Sequence, residues 1–379
     1  LCLDPNGCGT WMDAVAGHMP DPTIADCTAD DIAAILYTSG TRGRSKGAML
    51  SHGNLASNAL MLHRLWGFQP GDVLLHALPI YHVHGLFVAL HCAMLNGSRV
   101  WFLRRFDVGA VMDLLPQSTV MMGVPTFYVR LLGEDRFVRA LCRSMRLFIA
   151  GSAPLLAETF EAFEARTGQR ILERYGMTEA GMITSNPYEG ERVAGTVGYA
   201  LPDVEARVCD GDGVEVERGE TGVLEISGPN VFGGYWRNAE KTAAEFRDNG
   251  FFITGDLSVM DADGRISIVG RAKDLVISGG FNVYPKEIEA EIDQIAGVQE
   301  SAVIGVPHPD LGEGVTAVVV ALPGAGLTAD AITGHLAGRL AKFKQPKRIF
   351  FVGELPRNAM GKVQKKALRD RYADTYQKD

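Results

Sequence analysis

The chain has 379 residues, 46% hydrophobic and 22% charged, with a net charge of −8. That length allows two or more domains with a large core, and the acidic balance argues against a general nucleic-acid binder. No apolar run reaches the ~20 residues of a membrane span, and no basic-then-apolar leader is visible. Cys2, Cys8, Cys27, Cys92, Cys142 and Cys209 are scattered, without close pairs or histidine companions. They read as thiols of a reducing compartment with no metal site, and a cytoplasmic location is expected.

Residues 1–30 are rich in Gly, Pro and Asp and read as irregular. The apolar run Ile32-Ala33-Ala34-Ile35-Leu36 fits a buried strand. Next comes Tyr37-Thr38-Ser39-Gly40-Thr41-Arg42-Gly43-Arg44-Ser45-Lys46-Gly47, and then a capping residue ahead of a helical pattern at 55–65. A strand, a loop of hydroxyls, glycines and cations, and a helix make a phosphate-holding geometry. It is not a Walker A loop: counting from Gly40, Ser45 stands where the second glycine belongs, and Gly47 follows Lys46 in place of a hydroxyl. A plain Gly/Ser-rich surface loop is the alternative.

Strands at 73–78, 98–102, 119–123 and Leu147–Ala150 alternate with helical stretches, which predicts an α/β domain with parallel sheets covered by helices. Short β-rich pieces at Glu205–Cys209, 222–227 and 265–269 predict a smaller, more antiparallel subdomain over about 201–271. After Arg271-Ala272-Lys273-Asp274, a helix at 285–294, strands at 298–305 and 314–321, a further helix and a basic tail predict a compact α+β domain. The expected division is 1–272 and 273–379.

Further motifs follow in order: Leu78-Pro79-Ile80-Tyr81-His82-Val83-His84-Gly85, Gly123-Val124-Pro125-Thr126, Gly151-Ser152-Ala153-Pro154, and Tyr175-Gly176-Met177-Thr178-Glu179. Then come Thr254-Gly255-Asp256, Gly270-Arg271-Ala272-Lys273-Asp274, Gly279-Gly280-Phe281-Asn282-Val283-Tyr284-Pro285, and Pro356-Arg357-Asn358-Ala359-Met360-Gly361-Lys362. Together with the 37–47 loop they resemble the adenylate-forming superfamily of acyl-CoA synthetases, luciferases and peptide-synthetase adenylation domains. Arg42 departs from the usual Thr-Thr pair, exchanging a hydroxyl for a cation. The family commonly has more residues before this loop, so the resemblance implies a chain shortened at its start.

The resemblance implies ATP-dependent activation of a carboxylic acid through an acyl-adenylate, transfer to coenzyme A, and Mg²⁺ as the accompanying cation. Thr38, Ser39, Gly40, Thr41, Gly43 and Lys46 are implied to hold the β/γ-phosphates. Gly151, Ser152, Ala153, Tyr175, Gly176, Met177 and Thr178 would line the nucleotide, with Tyr175 on adenine and Thr178 on the α-phosphate. Glu179 would hold Mg²⁺, Asp256 the ribose hydroxyls, and Arg271 the ribose or phosphate. Lys362 would bridge the carboxylate and the α-phosphate from a mobile terminal domain hinged at Lys273. Gly279, Gly280 and Phe281 would line the pantetheine tunnel. Lys342, Lys344, Lys347 and Arg348 are candidates for the CoA phosphates, with a solvated helix end equally open. Alone, each residue has an ordinary alternative: a helix-end carboxylate for Glu179, a core ring for Tyr175, a turn cap for Asp256, a solvated lysine for Lys362.

Within the superfamily the chain most resembles malonyl-CoA synthetases, through His82-Val83-His84-Gly85-Leu86-Phe87, Gly123–Arg130 and Arg174–Glu179. A dicarboxylate keeps one carboxylate after activation, and burying it calls for a cation. The resemblance gives that task to Arg130 with Ser152, puts His82 beside the acyl pocket, and has Val83 and Met182 set the room for malonate or methylmalonate. A surface arginine on a helix is the alternative for Arg130. Acylation of Lys362 would remove an essential charge. A general fatty- or aryl-acid:CoA ligase is the second expectation, and a catalytically weak binding module the third. The oligomeric state is not legible.

Overall fold

The computed structural model describes residues 8–19, 21–38, 45–358 and 361–376. Ser39, Gly40, Thr41, Arg42 and Gly43, the centre of the expected phosphate loop, lie outside the described residues. Strand β1 (Ile32–Thr38) pairs antiparallel with β2 (Lys46–Ser51), so the loop joins a hairpin. This corrects two expectations. A second strand intervenes before the helix, and β1 is half exposed, with Ile32 at 48%. The physical reason is an extra partner for β2: Trp236 N–H donates to Gly47 O and Met49 N–H donates to Gly234 O, which draws 46–51 into extended backbone. Gly47 admits this packing, since a Cβ there would lie 2.7 Å from Ile35 Cγ2. Ser51 then caps the His52–Leu65 helix through a capping box with Asn54.

Seven strands form the main sheet: β3 (Val73–His76), β4 (Arg99–Phe102), β5 (Val120–Gly123), β6 (Leu147–Ala150), β7 (Leu172–Met177), β8 (Gly181–Ser185) and β9 (Tyr199–Ala200), in the order β4-β3-β5-β6-β7-β8-β9. The first five in that order run parallel, and β8 and β9 turn antiparallel. β5 and β6 are buried along their whole length, as strands covered on both faces must be. The carboxyl ends of β5, β6 and β7 open onto Val124, Gly151-Ser152 and Thr178-Glu179, where open α/β sheets place their ligands.

β10 (Glu205–Cys209), β11 (Thr221–Ser227), β12 (Phe252–Met260) and β13 (Ile266–Arg271) make an antiparallel meander that sets Asp256 opposite Arg271. In the smaller C-terminal domain, β14 (Val276–Ser278), β15 (Phe281–Val283), β16 (Val298–His308), β17 (Gly312–Ala321) and β18 (Arg348–Val352) form a mixed sheet, with β18 parallel to β17. Alternation along β16 feeds two cores. Val303 packs with Ile288, Ile292 and Leu336, while Ala302 and Ile304 pack with Leu355 and Leu368. Among the described residues, no helix is long and apolar enough to cross a membrane.

Candidate active site

Three groups of side chains gather at the carboxyl edge of the main sheet. Lys46, at the start of β2, stands beside Glu179, which the tight turn after β7 presents at 4% exposure; Lys46 Nζ lies 3.5 Å from Glu179 Oε1. Thr178 is half-buried in the same turn. A buried carboxylate at this edge suits Mg²⁺, a hard cation that takes oxygen ligands.

The second group is Tyr175, Asp256 and Arg271. Tyr175 O–H donates to Asp256 Oδ2 at 2.5 Å, and Arg271 Nε lies 2.6 Å from Asp256 Oδ1. Burial, together with the neighbouring Asp256, pushes the Tyr175 hydroxyl well above its ordinary range, so it remains a donor. Asp256, 2% exposed, keeps acceptor capacity toward the cleft.

The third group is His82, His84, Ser152 and Arg174. Ser152 stands with φ +68°, a left-handed conformation that a non-glycine residue holds only under constraint, and its Oγ lies 3.1 Å from His84 Nδ1. Arg174 is 2% exposed, and its Nε and Nη2 meet no acceptor among the described residues. Its guanidinium lies flat against Gly151, where a Cβ would fall 2.5 Å from Cζ. Burial lowers its pKa to about 9. No motif assigned Arg174 a role. The available signal was its place at the head of the Arg174–Glu179 segment, beside Glu173, in a strand otherwise fit for burial.

The structure does not bring Arg130 into this group. It is exposed in the last turn of the Pro125–Leu132 helix, one turn along from Thr126, and it makes no ion pair among the described residues. The helix faces Tyr128 and Leu131 inward, which turns position 130 to solvent. Met182 is buried on β8, with its Cε packed under Gly176. Gly279 and Gly280 form the β14–β15 turn with φ +60° and +81°, and Phe281 stacks on Phe343 with centroids 4.6 Å apart. Lys273 is exposed on the short turn after β13, and partial desolvation, followed by the neighbouring Arg271, lowers its pKa.

Lys362 reaches this edge from a turn that Asn358 closes, with Lys362 N–H donating to Asn358 Oδ1 at 3.0 Å. Gly361, at φ +73°, lies beside Thr126. Desolvation lowers the Lys362 pKa, Arg271 and Arg174 add to this, and Asp256 and Glu179 oppose it. The side chain keeps solvent contact, so water screens these charges.

Burial also lowers His76 and His82 to about 4. Between pH 4 and 6.5 the unfolded chain takes up protons that the folded chain refuses, so stability falls as pH drops through 6.5. His76 is 1% exposed and packs at a tilt against the Phe102 ring, and it is expected to cost about 2 kcal/mol at pH 5 relative to pH 7.5. Urea unfolding at the two pH values measures this. His76→Leu flattens the slope, and an unchanged slope counts against the assignment.

A parallel sheet with cations, hydroxyls and carboxylates on its carboxyl edge, faced by a small domain that delivers a lysine, defines an anion-handling α/β protein with its site in a two-domain cleft. The chain belongs to the AMP-binding enzyme family, which matches residues 4–236, with the AMP-binding enzyme C-terminal domain matching residues 287–362. It is 37% identical to a malonate–CoA ligase of Arabidopsis thaliana, over 90% of this chain and 60% of that protein. It is also 37% identical to a long-chain-fatty-acid–CoA ligase of Yersinia pestis, over 91% of this chain and 62% of that protein. The crystal structure of ATP-bound MatB from Rhodopseudomonas palustris superposes with a TM-score of 0.96 at 59% identity, covering 99% of this chain and 75% of that one. Apo MatB gives 0.80 at 60% identity over 98% of this chain and 74% of that one. The chain thus superposes more closely on the ATP-bound form than on the apo form.

Proposed function

We propose that this chain works as an AMP-forming acid–thiol ligase that joins malonate, or methylmalonate, to coenzyme A at the expense of ATP. The observation that carries the substrate class is Arg174: a buried guanidinium with unmet donors, beside Ser152 and His84, in the cleft that Lys362 faces. A buried cation without a partner is costly, and a second carboxylate on the substrate would satisfy it. Arg174 thus takes the task that the resemblance gave to Arg130.

In this reading one carboxylate oxygen attacks the α-phosphorus, the bond to pyrophosphate breaks, and Lys362 neutralises charge between the two anions. Lys46 and Thr38, with Ser39, Gly40, Thr41 and Gly43, hold the β/γ-phosphates; Tyr175 stacks on adenine, Asp256 and Arg271 take the ribose, and Thr178 takes the α-phosphate. Gly151, Ala153, Gly176 and Met177 line the nucleotide, and Met182 supports the acyl pocket from beneath. Glu179 holds Mg²⁺, which when bound offsets phosphate charge. The thiol of coenzyme A then displaces AMP from the acyl carbon. Gly279, Gly280 and Phe281 admit the pantetheine arm after rotation about Lys273, at a boundary between 272 and 273.

Exposure of Arg130 favours a second reading, a ligase for fatty or aryl acids. AMP release measured with ATP, CoA and malonate, methylmalonate, acetate, octanoate or benzoate separates the two. Malonate is expected to exceed acetate and octanoate in kcat/KM by at least about tenfold, the equivalent of one well-placed charge contact. Malonate no better than acetate overturns the substrate assignment.

A further inference from the structure

Lys46 and Glu179 are joined by a third residue that no motif singles out. Tyr235 is 2% exposed, and its phenolic oxygen lies 2.6 Å from Lys46 Nζ, 2.9 Å from Glu179 Oε1 and 2.5 Å from Glu245 Oε2. Lys46 Nζ also sits 4.2 Å over the Tyr235 ring and 3.5 Å from Glu245 Oε2. The other Glu245 oxygen is taken by Lys241 at 2.7 Å. Backbone bonds fix the strand-like strap that carries Tyr235. Trp236 N–H donates to Gly47 O at 2.8 Å, and Phe232 N–H donates to Glu179 O at 2.8 Å. The strap therefore sets the spacing between β2 and the Thr178–Glu179 turn.

A phenol has one proton to give. With Lys46 donating to the phenolic oxygen, Tyr235 O–H can donate to Glu179 or to Glu245, not to both. The shorter contact is to Glu245.

We propose that Tyr235 and Glu245 are positioning residues: Glu245 draws the Tyr235 proton and part of the Lys46 charge to itself, which frees the Glu179 carboxylate for a divalent cation. The proposal rests on the reading of Lys46 and Glu179 as phosphate and metal groups. Removing the Glu245 charge leaves Glu179 as the one charged acceptor for both Tyr235 O–H and Lys46 Nζ, and both then compete with the metal. Tyr235→Phe deletes the phenolic oxygen and releases Lys46 from its strongest contact.

The test is ATP binding by calorimetry, in Mg²⁺ and in EDTA, with Mn²⁺·ATP followed by electron paramagnetic resonance, for the wild type, Glu245→Gln and Tyr235→Phe. Glu245→Gln is expected to raise the Mg²⁺ needed for half-maximal ATP binding about tenfold, as loss of an outer-shell partner does, while metal-free ATP affinity moves by less than about twofold. Tyr235→Phe is expected to weaken ATP binding with and without metal. If the wild type binds ATP more tightly with Mg²⁺, yet Glu245→Gln shifts both conditions equally or neither, the positioning role is overturned. A wild type whose ATP binding ignores Mg²⁺ overturns the reading of Glu179 itself, and the positioning role with it.

Discussion

Lys362→Ala is expected to lower the rate of adenylate formation by about 10²–10³-fold, the effect of removing one preorganised charge from a developing transition state. In the proposed reaction the first half-reaction brings a carboxylate against a polyanion, so a cation must sit between them, and the proposal gives Lys362 that position. Its turn is closed by Asn358, and its ammonium feels Arg271, Arg174, Asp256 and Glu179 at once. Desolvation lowers its pKa, and the nearby Arg271 and Arg174 add to that lowering. ATP–pyrophosphate exchange reads this step alone. Thioester formation from a supplied acyl-adenylate and CoA is expected to change by less than about threefold, since that step asks for no charge between carboxylate and phosphate. A loss below tenfold in exchange, or equal losses in both assays, counts against the role. Acylation of Lys362 would act as the alanine variant does, through loss of the charge.

The layout of the molecule was legible because its signals are periodic. Buried runs such as Leu147–Ala150 and the antiparallel pieces around Glu205–Cys209 specify their strands from the sequence alone. The hairpin of β1 and β2 was not legible, because the partner that draws 46–51 into extended backbone lies nearly two hundred residues later, at 234–236. Site motifs pointed to loops, and the loops do converge. What they could not convey is which way a side chain turns. Arg130 and Arg174 are both single arginines in otherwise largely apolar elements, and the sequence does not say which one is buried. One belongs to a helix whose buried face is Tyr128 and Leu131, the other to a strand covered on both faces. Tyr235 carried no motif at all, and two of its three contacts, Lys46 and Glu179, come from distant segments.

Arg174→Met separates function from stability by moving them in opposite directions. A guanidinium held at 2% exposure with unmet donors destabilises the fold, and a pKa lowered by burial from the ordinary arginine range to about 9 expresses that penalty. The folded chain binds fewer protons than the unfolded chain between those values, so stability rises with pH through that window and the penalty is complete below pH 9. Methionine matches the stem and carries no charge, so the variant is expected to be as stable as the wild type or more stable, by about 1–4 kcal/mol in urea unfolding at pH 7.5. Catalysis moves the other way. Loss of a buried charge partner for the free carboxylate is expected to cut kcat/KM for malonate by about 10²–10³-fold. Octanoate, which has no second carboxylate, is expected to gain or to lose less than about tenfold, because its apolar tail no longer meets a cation. Arg130→Ala, made alongside, is expected to leave malonate kinetics within about twofold, as surface substitutions commonly do. An arginine that served only to hold the fold would cost stability when replaced and would lower both substrates together.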